Sequence, residues 1–359
     1  MTLLLFLVGL VALVAGAELL VRGASKLAIS VGISPLVVGL TVVAFGTSAP
    51  EVAVSVGAVL EGKTDIAVGN VVGSNIFNVL FILGVSALIT PLVVNAQIIR
   101  QEVPIMIGAS LILLAFILDG SLSRYEAGIL LALLTAYTVF LIVQSRRQTA
   151  ATKEEYDESM PTKGGWDGHW AVQVGLVAAG LALLVVGAGW LVDSAVAFAK
   201  AMGVSDLIIA LTIVAAGTSM PEVATSITAA IKGERDIAVG NVIGSNTFNI
   251  LGCLGISGLV SAGGLTMAPA VINFDIWVML AVAIACLPIF LTGKEIARWE
   301  GGVFVLYYSA YTAYLILAAQ QHDALPKFSA LMMTFVIPIT VITLIVVMLR
   351  PTAQSIKNP

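Results

Sequence analysis

The chain has 359 residues, of which 59% are hydrophobic and only 11% charged, with a mean hydropathy of +1.06. Soluble domains carry roughly a quarter charged residues, so a soluble globular chain and a disordered one are both excluded. With 17 Lys and Arg against 21 Asp and Glu there is no basic surface for nucleic acid, and two cysteines and two histidines make neither a disulfide scaffold nor a transition-metal site. What remains is an all-α polytopic membrane protein, with the lipid bilayer as its surroundings and no cofactor implied.

A helix needs about 20 mostly apolar residues to cross the hydrocarbon core. Apolar runs between charged or turn-rich breaks predict eleven spans, at 2–20, 33–59, 66–90, 102–119, 126–144, 171–193, 205–231, 237–262, 273–292, 302–320 and 329–349. The runs are long and continuous, which excludes outer-membrane strands. If the spans alternate, Lys63, Arg124, Lys200 and Lys327 lie on one side and the other 13 of the 17 basic residues on the opposite side. The positive-inside rule then places the N-terminus outside and the C-terminus in the cytoplasm, in what we expect to be a prokaryotic plasma membrane. Ala15-Gly16-Ala17 resembles a leader cleavage site, but no basic segment precedes it. The polar stretch 145–170 reads as a cytoplasmic linker, with Trp166 and Trp170 at the membrane interface and His169 a solvated linker residue. It separates a first half, 1–144, from a second, 171–320. Residues 321–359 add a further span and a tail.

The two halves are copies. Residues 40–84 and 211–255 match at 29 of 45 positions without a gap, at a constant offset of 171. The same offset places GAELLV at Gly16 on GAGWLV at Gly187. Five spans per copy is an odd number, so the second copy enters the membrane from the opposite side, as in many secondary transporters. Asp65 and Asp236 match in the repeat and are expected to N-cap the helices that follow.

Most acids fall in loops or near span ends. Glu51 and Glu222 fall mid-span, each in the motif GTSxPE. A carboxylate at a helix centre costs about 2.5–3.5 kcal/mol on insertion scales, and no Lys or Arg lies at similar depth. The missing positive charge is then a bound cation or protons. Thr47 and Ser48 precede Glu51 by four and three residues and share its helix face; Thr218 and Ser219 stand likewise before Glu222. Pro50, Pro221, Gly46 and Gly217 disrupt the local helix, and the carbonyls around Ala44 and Ala215 are expected to turn into a cavity. On the next span Asn70, Ser74 and Asn78 stack four apart, and Asn241, Ser245 and Asn249 repeat the stripe. Asn75 and Asn246 point elsewhere, to backbone across the helix pair. Gly69, Gly73, Gly240 and Gly244 are expected to let helices approach closely. All these donors are hard oxygen, which favours Na⁺, Ca²⁺, Mg²⁺ or Mn²⁺ over zinc or copper. Two carboxylates and flexible geometry suit Ca²⁺ better than Mg²⁺. Glu18 lies near a span end and reads as structural or interfacial. Asp193 and Asp275 also read as interfacial, and Cys253 and Cys286 as apolar filling.

The paired GTSxPE motifs, each followed by GNxxGSNxFN, resemble the alpha-repeats of the sodium/calcium exchangers in the cation/calcium antiporter superfamily. The resemblance covers spans one to ten. It implies two inverted five-helix halves with ions bound among the second, third, seventh and eighth spans. The implied ligands are Thr47, Ser48, Glu51, Ser74 and Asn78, with Thr218, Ser219, Glu222, Ser245 and Asn249 in the second copy and the carbonyls of Ala44 and Ala215 joining for Na⁺. Studied relatives carry an acid where Asn249 stands, so the implied site has two carboxylates rather than three and does not take K⁺. Span eleven is absent from the ten-helix members. The implied function is antiport of Na⁺ for Ca²⁺ by alternating access, with spans one and six sliding. A Ca²⁺/H⁺ exchanger of the same fold is the alternative, and a cation channel is the alternative of another class. An enzyme is disfavoured because neither HExxH nor GxSxG is present. The oligomeric state is left open.

Overall fold

The computed structural model describes residues 2–151, 169–204, 206–209, 212–213 and 215–349. Nine helices among them are long and apolar enough to cross a membrane. They are α1 (Thr2–Val31), α4 (Thr64–Ile89), α5 (Ile98–Ile117), α6 (Arg124–Ala151), α7 (Trp170–Ala201), α9 (Arg235–Val260), α10 (Val271–Leu291), α11 (Arg298–Ala319) and α12 (Leu325–Val346). A tenth span is broken into α2 (Pro35–Thr47) and α3 (Ala49–Leu60), which bend by 41°. The seventh expected span, 205–231, appears as Asp206–Ile209, Ala215–Gly217 and α8 (Met220–Ile231). Residues 205, 210, 211 and 214 of that span lie outside the described residues, as does Trp166.

Two helices run well past their predicted ends. The 30 residues of α1 span about 45 Å at 1.5 Å per residue, longer than the hydrocarbon core is thick. The charges that seemed to end it are accommodated within the helix. Glu18 is ion-paired with Lys232 beyond the end of α8, which ties α1 to the second half. At the other end of the predicted linker, His169 is not simply solvated. Its Nδ1 accepts the Ala171 amide at 3.2 Å and so caps α7.

Local chemistry sets the other helix starts. Ser34 caps α2 through the Val37 amide, followed by Pro35 in the first turn. Ser123 and Glu126 form a reciprocal capping pair at the start of α6, with the Ser123 amide and hydroxyl each 2.8 Å from Glu126 Oε2. Glu300 Oε2 likewise accepts the Ala297 amide at the start of α11. The expected aspartate caps are a correction. The helices start at Thr64 and Arg235, so Asp65 and Asp236 sit inside the first turn, where a negative charge still favours the helix dipole.

The centre of the bundle is α4 and α9, flanked by the broken motif helices. Large apolar side chains such as Leu4, Val11 and Val14 on α1, and Ile339 and Ile342 on α12, face outward as a lipid-exposed belt. Helices α1 and α7 cross on glycines. A Cβ at Gly9 would lie 2.9 Å from the Gly187 carbonyl oxygen, and one at Gly16 would lie 2.8 Å from that of Gly180. Gly9 and Gly16 are the repeat partners of Gly180 and Gly187, so the contact is exchanged between the copies. The same exchange recurs in two short antiparallel ladders. Strand β1 (Leu92–Val93) pairs with β4 (Glu295–Ile296), and β2 (Ser121–Leu122) pairs with β3 (Leu265–Thr266). On α9, Gly244 meets Leu40 as expected, with a Cβ position 2.6 Å from its carbonyl oxygen. No described atom comes within 4 Å of a Cβ at Gly69 or Gly73.

Filling the α1–α7 crossing forces overpacking that costs about 1–3 kcal/mol or more. Gly16→Leu and Gly180→Leu should therefore sharply reduce monodisperse protein in detergent, measured by size-exclusion chromatography. Gly175→Leu and Gly189→Leu, on exposed faces of α7 with no neighbour within 4 Å of the Cβ, should leave it unchanged.

Candidate cation site

The break in the second span creates the site. Ser48 joins α2 to α3 with φ −83° and ψ 7°, and Pro50 lies in the first turn of α3. Ser219 and Pro221 repeat this at the start of α8, with φ −89° and ψ 9° at Ser219. Glu51 and Glu222 thus stand in first helical turns, fully buried at 0% exposure. A helix N-terminus favours the negative charge that each carries when ionised. The helix must approach α7 closely here, since a Cβ at Gly46 would lie 2.6 Å from Leu181.

Each carboxylate is held by the other half. Ser48 Oγ donates to Glu222 Oε1 at 2.9 Å, and Ser219 Oγ donates to Glu51 Oε1 at 2.8 Å. Thr47 Oγ1 donates to Asn241 Oδ1 at 3.1 Å, and Thr218 Oγ1 reaches Asn70 Oδ1 at 3.4 Å. Asn70 and Asn241 pass the chain on, each donating Nδ2 at 3.0 Å to Ser55 and Ser226 respectively. Thr47 and Ser245 also flank the Glu222 carboxyl, and Thr218 that of Glu51. The crossed serine bonds bring both carboxylates to one junction between the halves.

What these bonds leave over defines the site. Glu51 Oε2, Glu222 Oε2, Ser74 Oγ, Ser245 Oγ, Asn78 Oδ1 and Asn249 Oδ1 are buried and have no hydrogen-bond partner. They form three repeat-related pairs, all oxygen, including one free oxygen from each carboxylate. Unpartnered buried polar groups are rare and costly; Ser86 and Ser257 form a fourth matched pair outside the motifs, and the six within the paired motifs mark a candidate cation cradle. Among the described residues, no three His, Cys, Asp or Glu side chains converge; the donor set is two carboxylates with neutral oxygens, suited to a hard cation as passing cargo.

Of the predicted ligands, Thr47, Ser48, Thr218 and Ser219 are at the carboxylates, although in this state their hydroxyls are spent on hydrogen bonds within the protein. The expectation of a freed carbonyl at Ala44 is corrected. Its oxygen accepts the Ser48 amide at 3.0 Å and the Thr47 hydroxyl at 3.4 Å, because the helix stays wound up to Ser48. Ala215 begins the short helix Ala215–Gly217. Asn75 and Asn246 do reach across to backbone, each Nδ2 lying 3.2 Å from the other's carbonyl oxygen.

Three features escaped the motif reading. Thr225 Oγ1 is buried and unpartnered three residues after Glu222, but its repeat partner is the apolar Val54, so symmetry gave no signal. Cys253 is not simple filling, since its Sγ lies 3.5 Å from the Glu51 carbonyl oxygen. Glu102 is fully buried, accepting from Gln97 at 2.9 Å, Gln101 at 2.8 Å and Tyr137 at 2.7 Å. Asp275 accepts from Tyr311 at 2.9 Å in the second half. These acid–tyrosine pairs correspond once the repeat offset slips by a few residues, a slip that an ungapped comparison misses.

Comparison with known proteins supports the same chemistry. A sequence model of the family described as sodium/calcium exchanger protein matches residues 1–143 and 172–317. The chain belongs to the sodium/calcium exchanger family. Sodium/calcium exchanger MaX1 of Methanosarcina acetivorans is 35% identical over 343 residues, covering 87% of this chain and 97% of that one. CaxA of Alkalimonas amylolytica is 40% identical over 318 residues, covering 87% and 98%. The solved structure of the sodium-calcium exchanger NCX_Mj, soaked with Na⁺ and Sr²⁺, superposes with a TM-score of 0.74 at 29% identity, over 87% of this chain and 97% of that one. This exchanger is thus an integral membrane protein of the cation antiporter type.

The exchanged bonds make the two halves of the site equivalent. Ser48→Ala and Ser219→Ala should each weaken ⁴⁵Ca²⁺ uptake by this exchanger by similar amounts, roughly ten- to a hundredfold for a hydrogen bond to a charged group. Loss on only one side would contradict that equivalence.

Proposed function

We propose that this exchanger carries Ca²⁺ and Na⁺ in turn at one buried site between the halves, coupling Na⁺ entry to Ca²⁺ export across a prokaryotic plasma membrane. The carrying observation is the set of six unpartnered oxygens, with one from each of Glu51 and Glu222. The proposed ligands are Glu51, Glu222, Ser74, Ser245, Asn78 and Asn249. Thr47, Ser48, Thr218 and Ser219 join when their hydroxyls turn from the carboxylates to the ion, with the carbonyl of Ala215 in the Na⁺-bound state. Residues 1–144 and 171–320 act as the inverted halves, with the N-terminus outside.

Coupling follows from charge. Empty, the site holds two facing carboxylates in a low-dielectric surrounding, so one or both must be neutralised before access can switch. One Ca²⁺ or two Na⁺ balances them, which ties one flux to the other. Glycine-lined α1 and α7 cross as a pair and would move together as access changes. The name of MaX1 and the ions soaked into NCX_Mj support the choice of ions.

Proton coupling is the second reading, favoured by the two carboxylates meeting at one junction, since a proton can take the place of a cation on either. Liposomes loaded with Na⁺ decide between the two. An outward Na⁺ gradient should drive ⁴⁵Ca²⁺ accumulation that stops when the gradient collapses, and accumulation driven by a pH gradient alone, without Na⁺, selects proton coupling. Because two negative charges match two Na⁺, a valinomycin-clamped potential should change the Na⁺-driven rate little. A strong acceleration with potential would show a third Na⁺.

A further inference from the structure

Four amides from the two motif copies bond to one another between α4 and α9. Asn75 Nδ2 donates to the Asn246 carbonyl and Asn246 Nδ2 to the Asn75 carbonyl, both at 3.2 Å. Asn249 Nδ2 donates to Asn75 Oδ1 at 3.3 Å, and Asn78 Nδ2 donates to Asn246 Oδ1 at 3.0 Å. All four side chains are buried. The amide orientations follow from the backbone. A main-chain carbonyl only accepts, so Asn75 must turn its Nδ2 toward Asn246. Its Oδ1 then faces Asn249, which must answer with Nδ2. The remaining oxygen of Asn249, Oδ1, is left pointing away without a partner. The same sequence of constraints runs from Asn246 to Asn78.

We propose that Asn75 and Asn246 are positioning residues that fix the amide planes of Asn249 and Asn78, so that each presents oxygen and never nitrogen to the cation, and that Asn75 also selects an amide over a carboxylate at position 249. This rests on the assignment of Asn78 and Asn249 as ion ligands. A free asparagine turns its donor and acceptor ends with little preference, and a nitrogen turned inward repels a cation. The locked amide removes that half of the possibilities before the ion arrives, which is preorganisation. An ionised carboxylate at 249 would set an acceptor against Asn75 Oδ1, with no proton between them. Asn75 cannot flip to relieve this without losing its bond to the Asn246 carbonyl. The amide at 249 is therefore enforced by its neighbour, and the site keeps two negative charges.

The test is ⁴⁵Ca²⁺ uptake by Na⁺-loaded proteoliposomes over a range of external Ca²⁺, with inserted protein quantified for each variant. Asn75→Ala should raise the Ca²⁺ concentration for half-maximal uptake about tenfold while the maximal rate stays within about twofold, as expected for a lost buried hydrogen bond. Asn249→Asp should lose uptake in the native background. In the Asn75→Ala background it should recover at least fivefold relative to Asn249→Asp alone, because the opposing acceptor is gone. A residue that merely holds the fold gives additive losses. Additive losses, or a half-maximal concentration in Asn75→Ala equal to the wild type, overturn the proposal. If Asn75→Ala does not accumulate, Asn246→Ala reads the same quantity through Asn78, and failure of both to accumulate assigns these amides to folding and also overturns it. Glu51→Gln, run alongside, separates the two readings. Full transport by Glu51→Gln removes the ion site itself. Dead Glu51→Gln with an unaltered Asn75→Ala removes only the positioning role.

Discussion

Two carboxylates buried between two copies of the same motif are the constraint on which the structure depends. A buried carboxylate with an unsatisfied oxygen is a costly group. Here each one keeps a serine hydroxyl from the opposite half on Oε1 and leaves Oε2 free. A protein built only for stability would remove the acid or give it a base. Neither motif supplies a base, and in the proposed function a bound cation makes good that shortfall of positive charge. The serine bonds also mean that neither half completes its own site, so the duplication is functional as well as architectural.

The rest of the fold serves that junction. The break at Ser48 and its counterpart at Ser219 set the acids in first helical turns, where the backbone dipole offsets part of their cost. Polar stripes on α4 and α9 face them, while Asn75 and Asn246 lock those two helices to each other. Outside this braced centre, α1 and α7 meet on glycines rather than on interdigitated side chains. The junction is fixed by hydrogen bonds and the α1–α7 pair by close glycine packing, a division that the proposed alternating access would use. One tie breaks the symmetry. Glu18 pairs with Lys232, while the repeat partners of these residues are Gly189 and Glu61, which cannot form the same bond.

Much of this was legible in the sequence because the repeat is almost unbroken where the chemistry lies. Mid-span acids, hydroxyls three and four residues before them and a four-residue polar stripe singled out Glu51, Ser48, Ser74, Asn78 and their partners; the structure joins Ser48 to Glu222 and Ser219 to Glu51 and leaves oxygens of Ser74 and Asn78 buried without partners. The cross-half reach of Asn75 and Asn246 followed from their being off that stripe. Other features were hidden for physical reasons. The extent of α1 was obscured because Glu18, Arg22 and Lys26 look like a span end when their partners are unknown. Position alone suggested Asp65 and Asp236 as caps, but helix starts are set by backbone geometry to within a residue or two. Thr225 and Cys253 lack polar counterparts in the other copy, and Glu102 corresponds to Asp275 only after a shift in offset. Whether the Ala44 carbonyl is free depends on how far the helix stays wound, which proline and glycine content alone does not determine.

The central claim is that the ion sits between Glu51 and Glu222. Crystals of the exchanger soaked in Sr²⁺ and measured at the strontium absorption edge test it directly. The account predicts one strong anomalous peak within bonding distance of a carboxylate oxygen from both residues, which Na⁺ in the soak displaces. A peak remote from either glutamate, or one that survives Glu51→Gln at full strength, would contradict it.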